Sequence, residues 1–199
     1  MNRLKLVVVG PTKCGKSYLC NFLSESVEQV TEEYRPTCGV RFVFLDPHIL
    51  RISFSSIIEY ELNTTIVNKP CKVELELWDL SGNRKYENCW PACFKGSHGA
   101  IFVYNPDHSE HIKELEDWHM ISSRNMQLKE SSCCVISNKK SNAGRDAVSL
   151  PSALERFQRL TCSFEEAEKL RDQFEKFISQ LIACRHEATE QEELNIINT

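Results

Sequence analysis

Several things are missing from this chain of 199 residues, and each absence narrows what it does. There is no excess of positive charge: 24 Lys and Arg stand against 28 Asp and Glu, a formal charge of −4. A polyanion held by bulk electrostatics is therefore not the expected partner, and nucleic acid and anionic membrane fall away. No window approaches the ~18 continuous apolar residues of a spanning helix. The opening MNRLKLVVVG has too short an apolar stretch for a secretory leader and no small-residue cleavage site after it, so a cytoplasmic protein is expected. The ten cysteines form no Cys-x-x-Cys pair, which favours reduced thiols over a disulfide framework. Cys89 with Cys93, and His108 with His111 and His119, are the nearest approach to metal-ligand spacing; core thiols and solvated histidines are the expected reading of both.

What is present is an alternation of strands and helices. Leu4 to Val9 is a short β-branched apolar run closed by Gly10 and Pro11, the pattern of a strand buried on both faces. Leu19, Phe22 and Leu23 follow at helical spacing. Arg41 to Leu45 and Lys72 to Asp79 read as two further strands, the second alternating Val73, Leu75 and Leu77 with Glu74, Glu76 and Trp78. Gly99 to Asn105 and Cys133 to Ser137 are apolar strands, and Gln158 to Cys162 is a last short one. Between them lies a helix carrying Ile112, Leu115 and His119, with Asp107 and Glu110 as its capping pair. Ser163 and Glu166 have capping-box spacing before a long helix running from Ala167 through Leu170, Phe174, Phe177, Ile178 and Leu181. The pattern predicts an α/β fold, a mostly parallel six-stranded sheet with helices on both faces, over residues 1–184. Residues 46–70 form an insertion in the second-to-third strand connection, open between an extended hairpin, a partner-binding edge and an error in the gene model. Residues 185–199 read as an acidic flexible tail.

The strongest chemical signal is Gly10-Pro11-Thr12-Lys13-Cys14-Gly15-Lys16-Ser17, a GxxxxGK[ST] phosphate loop between the first strand and the first helix. Its backbone N–H groups and the helix N-terminus surround a phosphate, Lys16 neutralises phosphate oxygens, and the Ser17 hydroxyl ligates Mg²⁺. Trp78-Asp79-Leu80-Ser81-Gly82 ends a strand with an Asp three residues before a Gly. There Asp79 holds Mg²⁺ through its hydration shell and the Gly82 N–H is free to approach a γ-phosphate.

With Tyr34-Arg35-Pro36-Thr37 between the first helix and the second strand, the chain resembles the Ras-superfamily small GTPases over residues 3 to 184. Their P-loop NTPase fold is implied for it. The resemblance implies GTP, GDP and Mg²⁺ as cofactors, Thr37 as a first-switch metal ligand, and Asp79 and Gly82 as the second switch. The GPxxxGK[ST] loop, the YxPTxGV segment, ENCWPACFKGSHGA and the acidic EELNIINT end make it most similar to the Rab-like subunits of the intraflagellar transport B complex. That likeness implies a cytoplasmic and ciliary location and an elongated coiled-coil protein partner.

Departures from the family pattern point to a degenerate enzyme. Asn83 stands in the water-positioning slot usually held by Gln, so slow hydrolysis is expected. Asn138-Lys139-Lys140-Ser141 replaces Asn-Lys-x-Asp; Ser141 offers no carboxylate to the guanine ring, which weakens guanine selectivity. Thr161-Cys162 matches the last family motif faintly, and no C-terminal cysteine is present to take a prenyl anchor. The rival reading is a nucleotide-independent pseudo-GTPase that serves as a structural interaction module. A phosphate-loop kinase is disfavoured for want of lid arginines or a substrate base. Tyr86, Trp90 and Phe94, spaced by four, form one stripe, with Phe94 read as core and the other two open between core and docking patch.

Overall fold

A computed structural model describes residues 3–24, 36–45, 74–126, 129–139, 149–162 and 167–197. Residues 46–70, Tyr34, Arg35, Ser141 and the Ser163–Glu166 capping box lie outside the described residues. Six strands are described: β1 (Arg3–Val9), β2 (Val40–Leu45), β3 (Glu74–Leu80), β4 (Gly99–Tyr104), β5 (Cys133–Asn138) and β6 (Gln158–Cys162). Four helices accompany them: α1 (Lys16–Leu23), α2 (Trp90–Phe94), α3 (Ser109–Asn125) and α4 (Ala167–Ile197). The strands form one sheet in the order β2-β3-β1-β4-β5-β6, parallel throughout except for β2 against β3.

The alternation of side chains across β1 divides the core in two. Leu4, Leu6 and Val8 face α1 and α4, where Leu19, Leu23, Phe174, Phe177 and Leu181 meet them. Val7 and Val9 face the other way, against Trp90 and Phe94 of α2 and Leu115 and Trp118 of α3. The Trp90 and Trp118 rings stand 4.2 Å apart, centroid to centroid. Trp90 and Phe94 are both core, and Tyr86 is half-buried beneath the Lys85 ammonium.

Two local expectations are corrected. Asp107 and Glu110 do not cap α3: the N-cap is His108, with no side-chain cap bond. The Asp107 N–H is instead taken by the Asn105 side chain at 2.9 Å, which folds residues 105–108 into a turn, while Glu110 pairs with Lys113 on the exposed face. The segment 185–197, read as a flexible tail, is helical, because α4 runs on to Ile197. The nine described cysteines are free thiols. Burial raises several of them, Cys133 to about 12 and Cys162 to about 11.

β1 has β3 on one side and β4 on the other, so the chain leaves its carboxyl end first one way and then the other. In open α/β sheets that is where a crevice opens and ligands bind. The glycine-rich loop sits there.

Candidate functional site

The loop 10–15 turns tightly between β1 and α1 because its backbone uses the left-handed region three times, at Gly10 (φ 145), Lys13 (φ 61) and Gly15 (φ 95). At Gly15 space also forbids a side chain. A Cβ there would lie 1.8 Å from the Asn138 amide nitrogen, and that amide donates to the Cys14 carbonyl at 2.9 Å. The end of β5 is thereby pinned to the loop. Asn138 keeps a buried Oδ1 with no partner, an acceptor left for a ligand. Lys139 follows, its N–H bonded to the Cys162 carbonyl at 3.1 Å, which ties together the two edges expected to frame a base.

Lys16 lies back along the loop and donates to the Gly10 and Pro11 carbonyls at 2.8 and 2.6 Å. The ammonium is buried and capped by those carbonyl oxygens, so its charge is held at the loop. Thr12 and Lys13 are exposed at the rim. Cys14 points inward with its thiol 3.7 Å from the Lys16 ammonium, and burial raises it, so it is packing rather than a nucleophile.

Beside the loop, three oxygens from three separate segments meet. Ser17 opens α1 and donates its hydroxyl proton to Asp79 Oδ2 at 2.6 Å. Having given that proton, Ser17 Oγ accepts from the Thr37 hydroxyl at 2.7 Å. Asp79 is fully buried at the end of β3; burial raises its carboxyl, while the Ser17 hydroxyl, Lys16 and Arg41 act to lower it. Its Oδ1 has no partner. Cis ligands of an octahedral Mg²⁺ at ~2.1 Å stand about 3 Å apart, so two hydroxyls 2.7 Å apart beside an unpartnered carboxylate oxygen suit that ion. The donor set is all hard oxygen, as Mg²⁺ requires.

The segment after β3 lies against the loop. A Cβ on Gly82 would lie 2.6 Å from the Pro11 and Thr12 backbone, so only glycine lets the segment approach so closely. The Ser81 N–H donates to the Gly39 carbonyl at 2.8 Å, joining the segments that carry Thr37 and Gly82. Asn83 is occupied: its Oδ1 accepts from the Lys85 N–H at 3.0 Å and caps the 3-10 turn over Arg84–Cys89.

The structure thus brings together Gly10 to Ser17, Thr37, Asp79, Gly82 and Asn138, with Lys139 bonded alongside and Asn83 turned to its own backbone. Ser141 lies outside the described residues. Sequence reasoning missed two members, Arg41 of β2 and Asn21 of α1. Arg41 reaches Asp79 Oδ2 at 3.4 Å, Asn21 Oδ1 at 2.6 Å and the Ser17 carbonyl at 3.0 Å.

The sequence profile of the Ras family matches residues 5–184. The chain belongs to the Ras family. Within it, the chain is 34% identical over 201 residues to the Intraflagellar transport protein 22 homolog of Danio rerio, covering 99% of this chain and 100% of that one. In the GTP-bound T. brucei IFT22/74/81 crystal structure, one chain superposes with a TM-score of 0.72 at 25% identity, covering 94% of this chain and 99% of that one. The GDP-bound T. brucei IFT22 crystal structure superposes with a TM-score of 0.60 at 21% identity, over 93% and 99% of the two chains. The chain is a Ras-family homologue of IFT22, and the T. brucei IFT22 was crystallised GTP-bound with IFT74/81. No described helix is long and apolar enough to cross a membrane.

Proposed function

We propose that this protein is a guanine-nucleotide-binding subunit of the intraflagellar transport B complex, working in the cytoplasm and cilium with slow intrinsic hydrolysis. The observation that carries the reading is the convergence of Ser17, Thr37 and Asp79 beside a loop whose Lys16 is already turned into it. In this reading the loop N–H groups and Lys16 would hold the phosphates, and Ser17, Thr37 and Asp79 would hold Mg²⁺. Bound Mg²⁺ supplies charge neutralisation between the phosphates. A γ-phosphate gives Thr37 and the Gly82 N–H something to hold, and the ordered segments present a surface to an elongated coiled-coil partner such as IFT74/81, which the T. brucei relative engages. Slow hydrolysis is supported by Asn83, whose side chain is spent on capping the next turn instead of orienting water.

The alternative, a nucleotide-independent interaction module, draws on Ser141, which lacks the carboxylate that reads guanine. Partner capture decides between them. Binding to an IFT74/81 dimer is expected to strengthen at least about tenfold with a non-hydrolysable GTP analogue over GDP and to be lost in Lys16→Ala. Equal binding in all three conditions would establish the module.

A further inference from the structure

Among the described residues, Arg41 and its partner Asn21 stand beside the metal site in places the nucleotide-binding reading does not explain. Arg41 sits on β2 with Val43 on the face turned toward α1, and its guanidinium bridges α1 and β3. One nitrogen donates to Asn21 Oδ1 at 2.6 Å, a second to the Ser17 carbonyl at 3.0 Å, and Nε faces Asp79 Oδ2 at 3.4 Å. Asp79 has no solvent exposure, so its carboxylate needs a nearby cation or it carries a large desolvation cost. In a site built round Mg²⁺ alone, that cation arrives and leaves with the metal. Here two are fixed to the fold, Lys16 and Arg41, and Arg41 is the one that reaches the carboxylate itself. The division of labour is visible on the carboxylate: Oδ2 accepts the Ser17 hydroxyl and is ion-paired with Arg41 Nε, and Oδ1 has no partner.

We propose that Arg41 is a resident counter-cation of the metal site, a positioning residue that keeps Ser17 and Asp79 gathered when no Mg²⁺ is bound and so makes nucleotide retention unusually tolerant of metal loss. The inference rests on nucleotide binding at this site, and the test separates the two.

The measurement is the release rate of fluorescent N-methylanthraniloyl-GDP from the full chain in EDTA, divided by the rate in millimolar Mg²⁺, for wild type, Arg41→Met and Arg41→Lys. Met keeps the aliphatic stem without the charge. The ratio is expected to rise at least about fivefold in Arg41→Met and to stay within about threefold of wild type in Arg41→Lys. A smaller rise or a fall in Arg41→Met, or a larger departure from wild type in Arg41→Lys, would overturn the proposal. Thermal unfolding of the nucleotide-free proteins in EDTA reads the same contact without ligand: Met is expected to melt well below Lys, and equal losses would mean that Arg41 only packs. Should Arg41→Met fail to fold, Arg41→Lys decides, since it must fold and melt near wild type. A wild type that binds no nucleotide would defeat the reading above, while the melting comparison would still judge Arg41.

Discussion

The chemistry of this site is carried by residues whose partners are already chosen. Asn83 is the clearest case. Its type at that position suggests a shortened water-positioning side chain, but its Oδ1 is held by the Lys85 N–H. Asn83→Ala is therefore expected to cost about 1 kcal/mol of stability, the ordinary worth of an N-cap. Single-turnover GTP hydrolysis in that variant should change by less than about twofold, and a tenfold fall would return Asn83 to catalysis. Gly15→Ala tests the pin between β5 and the loop. Its Cβ would displace the Asn138 amide, so nucleotide binding by calorimetry should fall more than about tenfold, in line with a strained left-handed position plus a lost buried hydrogen bond. The sequence announces the loop because its glycine spacing is itself the mechanism. It does not announce Arg41, because a charge inside a short strand gains meaning only from what lies across from it. The alternation of β2 sets Arg41 and Val43 on the α1 face, and that was the available signal.

At the scale of elements, the strands were legible because buried parallel strands are short apolar runs with few ways to be read. β1 and β6 lie within one residue of where their composition sets them. Helix ends were less legible. Asp107 has the residue type of a cap, but Asn105 claims its N–H first, and a competing turn of that kind is invisible to spacing. α4 outran its expectation because the periodicity of buried residues stops near Leu181 while the backbone goes on helically to Ile197. Its stability should reside in the buried part, so Phe177→Ala is expected to destabilise by roughly 3–5 kcal/mol in chemical denaturation. The β1–β4 junction carries a pH dependence. His98 Nδ1 accepts the Lys5 N–H at 2.8 Å, while the His98 N–H donates to the Lys5 carbonyl at 2.8 Å. Burial, with help from Arg185 and Lys5, lowers His98 below its ordinary 6.5. The unfolded chain then takes up the proton more readily than the folded one. This contribution is full above about pH 6.5 and is lost as pH falls below it, levelling once the folded imidazole also protonates. His98→Asn, an acceptor that does not titrate, should flatten the slope of stability against pH between 7 and 5.5; an unchanged slope would place the acid sensitivity elsewhere.

For the whole molecule, the sheet order puts the phosphate loop at the carboxyl end of β1, between neighbours that leave it in opposite directions. The pairing of β2 with β3 then brings Thr37, Arg41 and Asp79 to one place. Fold and family were readable because a motif and its strand–helix setting agree across the chain, and the Ras-family match over residues 5–184 bears that out. What the fold is used for turns on whether the gathered oxygens hold a nucleotide's metal. The most direct measurement is to denature the purified protein and identify any co-purifying nucleotide by chromatography, with Lys16→Ala beside it. GTP or GDP released by the wild type and absent from the variant is the predicted result, with GTP in excess if hydrolysis is slow. A folded wild type that releases nothing, yet binds an IFT74/81 dimer as well as the variant does, would contradict the account.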